Sequence, residues 1–208
     1  MKKLIIFALL LFGGWKLYTN GSLPFMKKPG AFDANGKAIV RLFVGPGCEG
    51  PCGEIEALLN QRKIEYELVD LTSPEGAKYG VHQYPLIQVG KDSALGGRWE
   101  MIGVLASHFG PEVLSRNERA AMENHFDENG RAIVVMYGTT WCPHCKRQRE
   151  YFKSHDIPYT ELDPEQSAAA KTAYTILQGA GYPLSYVGYQ RFVGYQAPEI
   201  KDAFAAIR

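Results

Sequence analysis

The sequence predicts an α/β protein built twice from one small unit, a mixed four-stranded sheet flanked by helices, behind an N-terminal hydrophobic helix. Three observations carry that expectation. The chain nearly repeats itself: Phe32-Asp33-Ala34-Asn35-Gly36-Lys37-Ala38-Ile39-Val40 returns as Phe126-Asp127-Glu128-Asn129-Gly130-Arg131-Ala132-Ile133-Val134. Within each copy, apolar runs and helical stretches follow the order β-α-β-α-β-β-α. A close pair of cysteines follows the first strand of each copy, Cys48/Cys52 and then Cys142/Cys145. Two later landmarks keep the same order, Ile64–Asp70 against Ile157–Asp163 and Tyr84-Pro85-Leu86 against Tyr182-Pro183-Leu184.

The chain opens Met1-Lys2-Lys3, runs apolar from Leu4 to Phe12, and continues Gly13-Gly14-Trp15-Lys16. Basic residues before a short apolar run form a secretory signal pattern. The missing small-x-small cleavage site and the flanking Trp15 and Lys16 favour an uncleaved signal-anchor over a cleaved signal peptide. Residues 1–30 therefore read as signal-anchor or signal peptide plus a linker. The rest of the chain is expected outside the cytoplasm, tethered to the inner membrane or released into the periplasm, where disulfides persist. The rival is a cytoplasmic protein whose apolar start is a packing arm. The remaining boundaries are 31–110 for the first copy, 111–125 for a connecting segment and 126–208 for the second copy. A formal net charge of +1 gives no argument for a nucleic-acid partner.

Each element has a local cause. Asn35-Gly36 and Asn129-Gly130 are turn signals. Ala38–Val44 and Ala132–Tyr137 are apolar runs suited to buried strands. Each cysteine pair then opens a helix, with Ile55, Leu58 and Leu59, or Tyr151 and Phe152, as core positions. Strands follow at Ile64–Leu71 and Tyr159–Leu162. An alanine-rich helix spans Ser167–Gln178. Third strands run Leu86–Val89 and Leu184–Val187; Gly188 and Gly194 mark a hairpin, and Pro198-Glu199 opens a closing helix to Ile207. Arg116–Glu123, between the copies, reads as helical. The early βαβ unit requires a parallel strand pair with a helical crossover.

The chemistry concentrates at Thr140-Trp141-Cys142-Pro143-His144-Cys145. A C-x-x-C at a strand–helix junction reads as a thiol–disulfide redox site. Cys142 stands at the helix start, where unpaired N–H groups and the helix dipole favour a thiolate. Pro143 fits the first helical position, which needs no N–H. His144, Lys146, Arg147 and Arg149 add positive potential. Rival readings are a passive bridge or a zinc half-site. Zinc would need four ligands gathered from two copies, so no metal is expected.

The element order, with C-x-x-C after the first strand and a proline before the third, resembles the glutaredoxin branch of the thioredoxin fold. Trp141-Cys142-Pro143-His144-Cys145 is the most specific part of the likeness. It covers the second copy from Ala132 to Ile207, and the first copy resembles the same fold with a weaker motif. The resemblance implies two tandem glutaredoxin-like domains and dithiol exchange on protein or small-thiol disulfides. Cys142 would attack, Cys145 would resolve, and Trp141 would form the lip of the site. Pro183 would be cis and face the cysteine pair, leaving the backbone of Tyr182 to pair with a peptide or glutathione. The resemblance implies no resident cofactor, glutathione as a co-substrate, and a thioredoxin-like reductase or glutathione as partner. Where many glutathione users carry Gly-Gly and an acidic cluster, the second copy has Val193-Gly194-Tyr195-Gln196. Alternatives are a periplasmic disulfide oxidase or isomerase, or a non-catalytic binding module on the same fold.

The first copy's Cys48-Glu49-Gly50-Pro51-Cys52 has three residues between the cysteines and an acid beside the first. It reads as a structural or slowly exchanging disulfide, a second redox centre, or free thiols, with Pro85 in the position of Pro183. Gly96-Gly97-Arg98 reads as a glutathione-type glycine pair or as a turn. Tyr137, Tyr182, Tyr186, Tyr189 and Tyr195 read as core packing or as an aromatic rim for substrate. His108 and His125 are expected to be solvated, and His82 and His155 receive no role.

Overall fold

The structure, a computed structural model, describes residues 30–208. The expected N-terminal signal-anchor lies outside the described residues. Among the described residues no helix is long and apolar enough to cross a membrane.

The first half runs β1 (Val40–Val44), α1 (Glu49–Gln61), β2 (Tyr66–Asp70), α2 (Pro74–Ala77), β3 (Leu86–Val89), β4 (Asp92–Leu95) and α3 (Arg98–Phe109). The second runs β5 (Val134–Tyr137), α5 (Pro143–Ser154), β6 (Thr160–Leu162), α6 (Ala168–Ile176), β7 (Leu184–Val187), β8 (Gln190–Val193) and α7 (Ala197–Ala206). Between them lie a 3-10 turn at Pro111–Val113, α4 (Arg116–Met122) and a second 3-10 turn at Glu123–His125. The sheets have matching orders, β2-β1-β3-β4 and β6-β5-β7-β8. In each, the first strand pairs parallel with the second and antiparallel with the third, and a hairpin adds the fourth. The chain therefore carries two thioredoxin-fold sheets in tandem.

The repeated sequence yields repeated local structure. Asp33 Oδ1 accepts the N–H groups of Asn35 and Lys37, and Asp127 Oδ1 accepts those of Asn129 and Arg131. These bonds fix the turn before each first strand, with Gly36 and Gly130 at φ of +78° and +72°. Both third strands match their expected bounds. The second strands are shorter than Ile64–Leu71 and Tyr159–Leu162, because their outer residues do not pair with the neighbouring strand.

The halves differ after the second strand. Alanine-rich α6 extends over nine residues, whereas α2 stops after four. Ser73 caps α2 by accepting the Gly76 N–H at 3.0 Å. Gly80 follows at φ +61° and ends it. A Cβ on Gly76 would fall 2.0 Å from the Asp70 carbonyl oxygen, so the short turn is packed onto the end of β2.

Two cores form. Val134, Met136, Phe152, Ile157, Phe192 and Ile200 pack one face of the second sheet beneath α5 and α7, together with both cysteines. On the opposite face, Val135, Tyr137, Leu184 and Tyr186 join Ala173 and Leu177 in a cluster that continues into the first half through Trp99, Met101, Ile102 and Leu105 of α3. The connecting segment contributes Val113, Leu114, Ala121 and Met122 to that cluster. Arg191 of β8 ties the halves further, donating to the carbonyls of Leu177 and Gln178 and lying 3.5 Å from Glu100 of α3.

His125 corrects the sequence expectation. It is wholly buried, stacks on Tyr186 at 4.4 Å and shares a 3.0 Å hydrogen bond with the Tyr137 hydroxyl. It lies between the linking segment and the second sheet, a placement that a single sequence does not encode in composition. His108 is exposed as expected and pairs with Asp92. Burial pushes the His125 pKa down to about 3, against a smaller upward pull from the Gly188 backbone.

Candidate active site

β5 ends at Tyr137, which pairs with Leu184 at the start of β7. The loop Gly138–Trp141 and the dipeptide Tyr182-Pro183 therefore emerge at the same end of the sheet. Cys142 caps α5: its Sγ accepts the Cys145 N–H at 3.1 Å. A sulfur thus takes the place usually filled by a Ser or Asp oxygen and meets the positive end of the helix. Pro143 occupies the first turn, as expected. Both cysteines are free thiols. Cys142 retains a sliver of exposure and Cys145 none.

Burial pushes the Cys145 thiol up to about 12, reinforced by its contact with Cys142. Two features oppose this shift, the Thr139 backbone N–H and the positive charge of Arg149. Arg149 stands four residues after Cys145, one helical turn on. Its guanidinium forks onto Glu161 of β6 at 2.7–3.0 Å and donates to the Thr139 carbonyl at 2.7 Å. A Cβ on Gly138 would sit 3.2 Å from both Cys145 Sγ and Glu161 Oε1, so this pair borders the buried sulfur across one glycine. From sequence, Arg149 reads only as general positive potential, and Glu161 is not singled out. The usable signal was an acid on the strand parallel to β5, opposite an Arg at helical spacing from Cys145.

A cleft of about 440 Å³ opens beside Cys142. Trp141, Pro143, His144, Tyr174, Gly179–Gly181 and Tyr182 line it with Cys142. Trp141 is 65% exposed, yet its indole N–H donates to Glu165 at 2.9 Å and its ring meets Tyr182 edge-on at 6.1 Å. Tyr174 packs on Tyr182 at 5.1 Å, and its hydroxyl donates to the Gly181 carbonyl at 3.0 Å. Glu165, Tyr174 and Gly179–Gly181 were not singled out from sequence. The Tyr182–Pro183 peptide is cis and Pro183 is buried. The five tyrosines divide: Tyr137 and Tyr186 are core residues, Tyr182 lines the cleft, and Tyr189 and Tyr195 are half-buried elsewhere.

The first half repeats the scaffold with other contents. Cys48 and Cys52 are disulfide-bonded, which removes the free-thiol reading. Cys48 caps α1 without any side-chain hydrogen bond. The Tyr84–Pro85 peptide is cis and Pro85 is buried. Gly96 follows β4 at φ +98° and donates to the Pro85 carbonyl, as Gly194 does to Pro183. Gly97 caps α3 and Arg98 pairs with Glu118. The glycine pair therefore forms the strand–helix turn. Larger concavities of about 530 and 620 Å³ in this half are lined by no cysteine.

A family model described as glutaredoxin matches residues 134–183. Among solved structures, a glutaredoxin from Archaeoglobus fulgidus is 26% identical, covering 36% of this chain and 89% of that one, with a TM-score of 0.31. Methanoredoxin from Methanosarcina acetivorans is 18% identical, covering 35% and 84%, with a TM-score of 0.31. Glutaredoxin C1 from Populus tremula x tremuloides is 14% identical, covering 45% and 95%, with a TM-score of 0.36. No curated protein matches the chain. The matched segment runs from β5 through the cysteine motif to Pro183, so the likeness to glutaredoxin lies in the second half.

Proposed function

We propose that the protein is a thiol–disulfide oxidoreductase whose second half works by dithiol exchange. Cys142 is the attacking sulfur, Cys145 resolves, and the first-half pair Cys48/Cys52 is a structural bridge. The observation that carries this reading is the cap: one sulfur accepts a helix N–H at the floor of a cleft, with a second sulfur one turn behind it.

In the forward direction, Cys142 thiolate attacks one sulfur of a substrate disulfide. A Cys142–substrate bond forms, the substrate S–S bond breaks, and the departing thiolate takes a proton from water. Cys145 then loses its proton and attacks Cys142 Sγ, releasing the second substrate thiol. Two electrons leave the cysteine pair, which becomes a disulfide. A helix N-terminus stabilises negative charge at the attacking sulfur, while burial keeps Cys145 protonated until the mixed disulfide has formed. Arg149 and the Thr139 N–H favour the anion that the second step needs.

The Cys48–Cys52 bridge supports an oxidising compartment, in keeping with export through the N-terminal segment. Expected partners are protein or small disulfides and a reductase that returns the pair to the dithiol. The test is reduction of a mixed-disulfide substrate by wild-type and Cys142→Ser protein. Loss of turnover in the variant supports the reading; undiminished turnover rules out Cys142 as nucleophile.

A further inference from the structure

We propose that the cleft beside Cys142 selects polypeptide disulfides whose attacked cysteine has an aromatic or large aliphatic neighbour, in preference to glutathione disulfide. This rests on the exchange reading above and adds the substrate class.

The cleft is aromatic and already set. Trp141, Tyr182 and Tyr174 stand in series at 6.1 and 5.1 Å, in edge-on and tilted arrangements. Trp141 is held by Glu165, and Tyr174 by the Gly181 carbonyl. A Cβ on Gly179 would lie 2.2 Å from the Tyr174 ring, so that ring packs directly on the Gly179 backbone. Rings fixed before binding lose little freedom when a side chain packs against them.

The charge pattern argues against glutathione. Glutathione brings two carboxylates, and a site built for it needs cations to receive them. Among the cleft's lining residues none is Lys or Arg, and His144 is its ionisable base. Two helical cations close by are committed elsewhere: Arg147 stacks over Tyr195 at 4.1 Å and Arg149 pairs with Glu161. The formal charges that act on Tyr182 are acidic. Burial, then Tyr174, Glu165 and Asp163, push the Tyr182 phenol upward. A neutral peptide with a ring or branched chain matches this lining; a tripeptide that carries two carboxylates does not.

The test uses the full, reduced chain and four probes with one leaving group. Capped tetrapeptides carrying Phe, Ala or Asp beside a cysteine, and glutathione itself, are each blocked as the 2-thiopyridyl disulfide. Cys142 attacks the peptide sulfur, the bond to the pyridyl sulfur breaks, and released 2-thiopyridone is followed by absorbance. The Phe peptide is expected to react about tenfold faster than the Ala peptide, with the Asp peptide and glutathione slowest. Trp141→Ala collapses the Phe-to-Ala ratio to about twofold or less, whereas Trp141→Phe retains most of it. Ratios within one variant are insensitive to its overall activity. Equal rates for all probes, a glutathione probe as fast as the Phe peptide, or a ratio unmoved by Trp141→Ala overturns the selectivity and leaves dithiol exchange standing. Rates no faster than those of Cys142→Ser protein overturn both.

Discussion

The two halves share a strand order, a turn sequence and a cis-proline position, but only one keeps its cysteines as free thiols. The equivalent of Cys142 is Cys48, which makes no capping hydrogen bond and is spent in a disulfide. The equivalent of Trp141 is Gly47, at φ +76°. The equivalent of Thr139 is Gly45, where a Cβ would lie 2.6 Å from the Tyr84 ring. Tyr84 therefore folds down over the loop, whereas Tyr182 stands against Trp141 and Tyr174 beside an open cleft. The comparison teaches that the fold alone does not supply the chemistry. The halves share it and differ in the capped sulfur and the rim aromatic.

The sharpest way to break the comparison is to exchange the roles of the cysteine pairs. Cys142→Ser is expected to lower mixed-disulfide reduction by about a thousandfold or more, measured as initial rate. Replacing Cys48 and Cys52 together with serine is expected to leave that rate within about threefold while lowering stability by about 2–3 kcal/mol. A first-half variant that silences turnover would place the chemistry in the wrong half.

Next in size is the pH dependence built into the seam. His125 is held near a pKa of about 3 in the fold, against an ordinary value of 6.5. Between these values the unfolded chain binds a proton that the folded chain does not. Stability therefore falls as pH drops from 6.5 towards 3, by up to about 4 kcal/mol in total, and this loss is absent above pH 7. His125→Gln, which can still bond to Tyr137, is expected to flatten the difference between urea midpoints at pH 4.5 and 7.5. An unchanged difference would show that His125 is not its source.

A smaller effect separates the cores. Buried Gln148 of α5 donates to Ser185 of β7 at 2.7 Å, and the equivalent first-half positions are Ile55 and Ile87, both fully buried. Ser185→Ala strands a buried amide and is expected to cost about 1–3 kcal/mol. Adding Gln148→Leu to it should recover part of that loss, because the stranded amide is then gone, less the 3.4 Å bond that Gln148 Oε1 accepts from the Gln196 N–H. Urea unfolding of the double-mutant cycle checks this, and simple additivity would contradict the pairing.

The mildest change concerns the second chemical step. Arg149→Met removes the cation beside Cys145 and the fork onto Glu161. Decay of the mixed disulfide is expected to slow about three- to tenfold and to need higher pH, because an already elevated Cys145 thiol rises further. Attack by Cys142 should change less. Rapid quench with mass analysis across pH separates the two steps.

Much of this was legible in the sequence because its signals are local. The Asn-Gly turns, the apolar strands, the proline after Cys142 and the repeat each reflect neighbours in the chain, and all reappear in the structure. The elements that escaped depend on distant pairing. His125 looks polar and exposed until the second sheet closes over it. Glu161 becomes part of the site only through the parallel register that sets Met136 beside it. Glu165 matters only because Trp141, 24 residues earlier, reaches it.

The central claim is that Cys142 captures substrate sulfur and Cys145 releases it. Its most direct test is Cys145→Ser protein mixed with a peptide disulfide and read by intact and peptide mass. The account predicts a stable adduct, one peptide thiol per chain, on Cys142. No adduct, or one formed through Cys48 or Cys52, would contradict it.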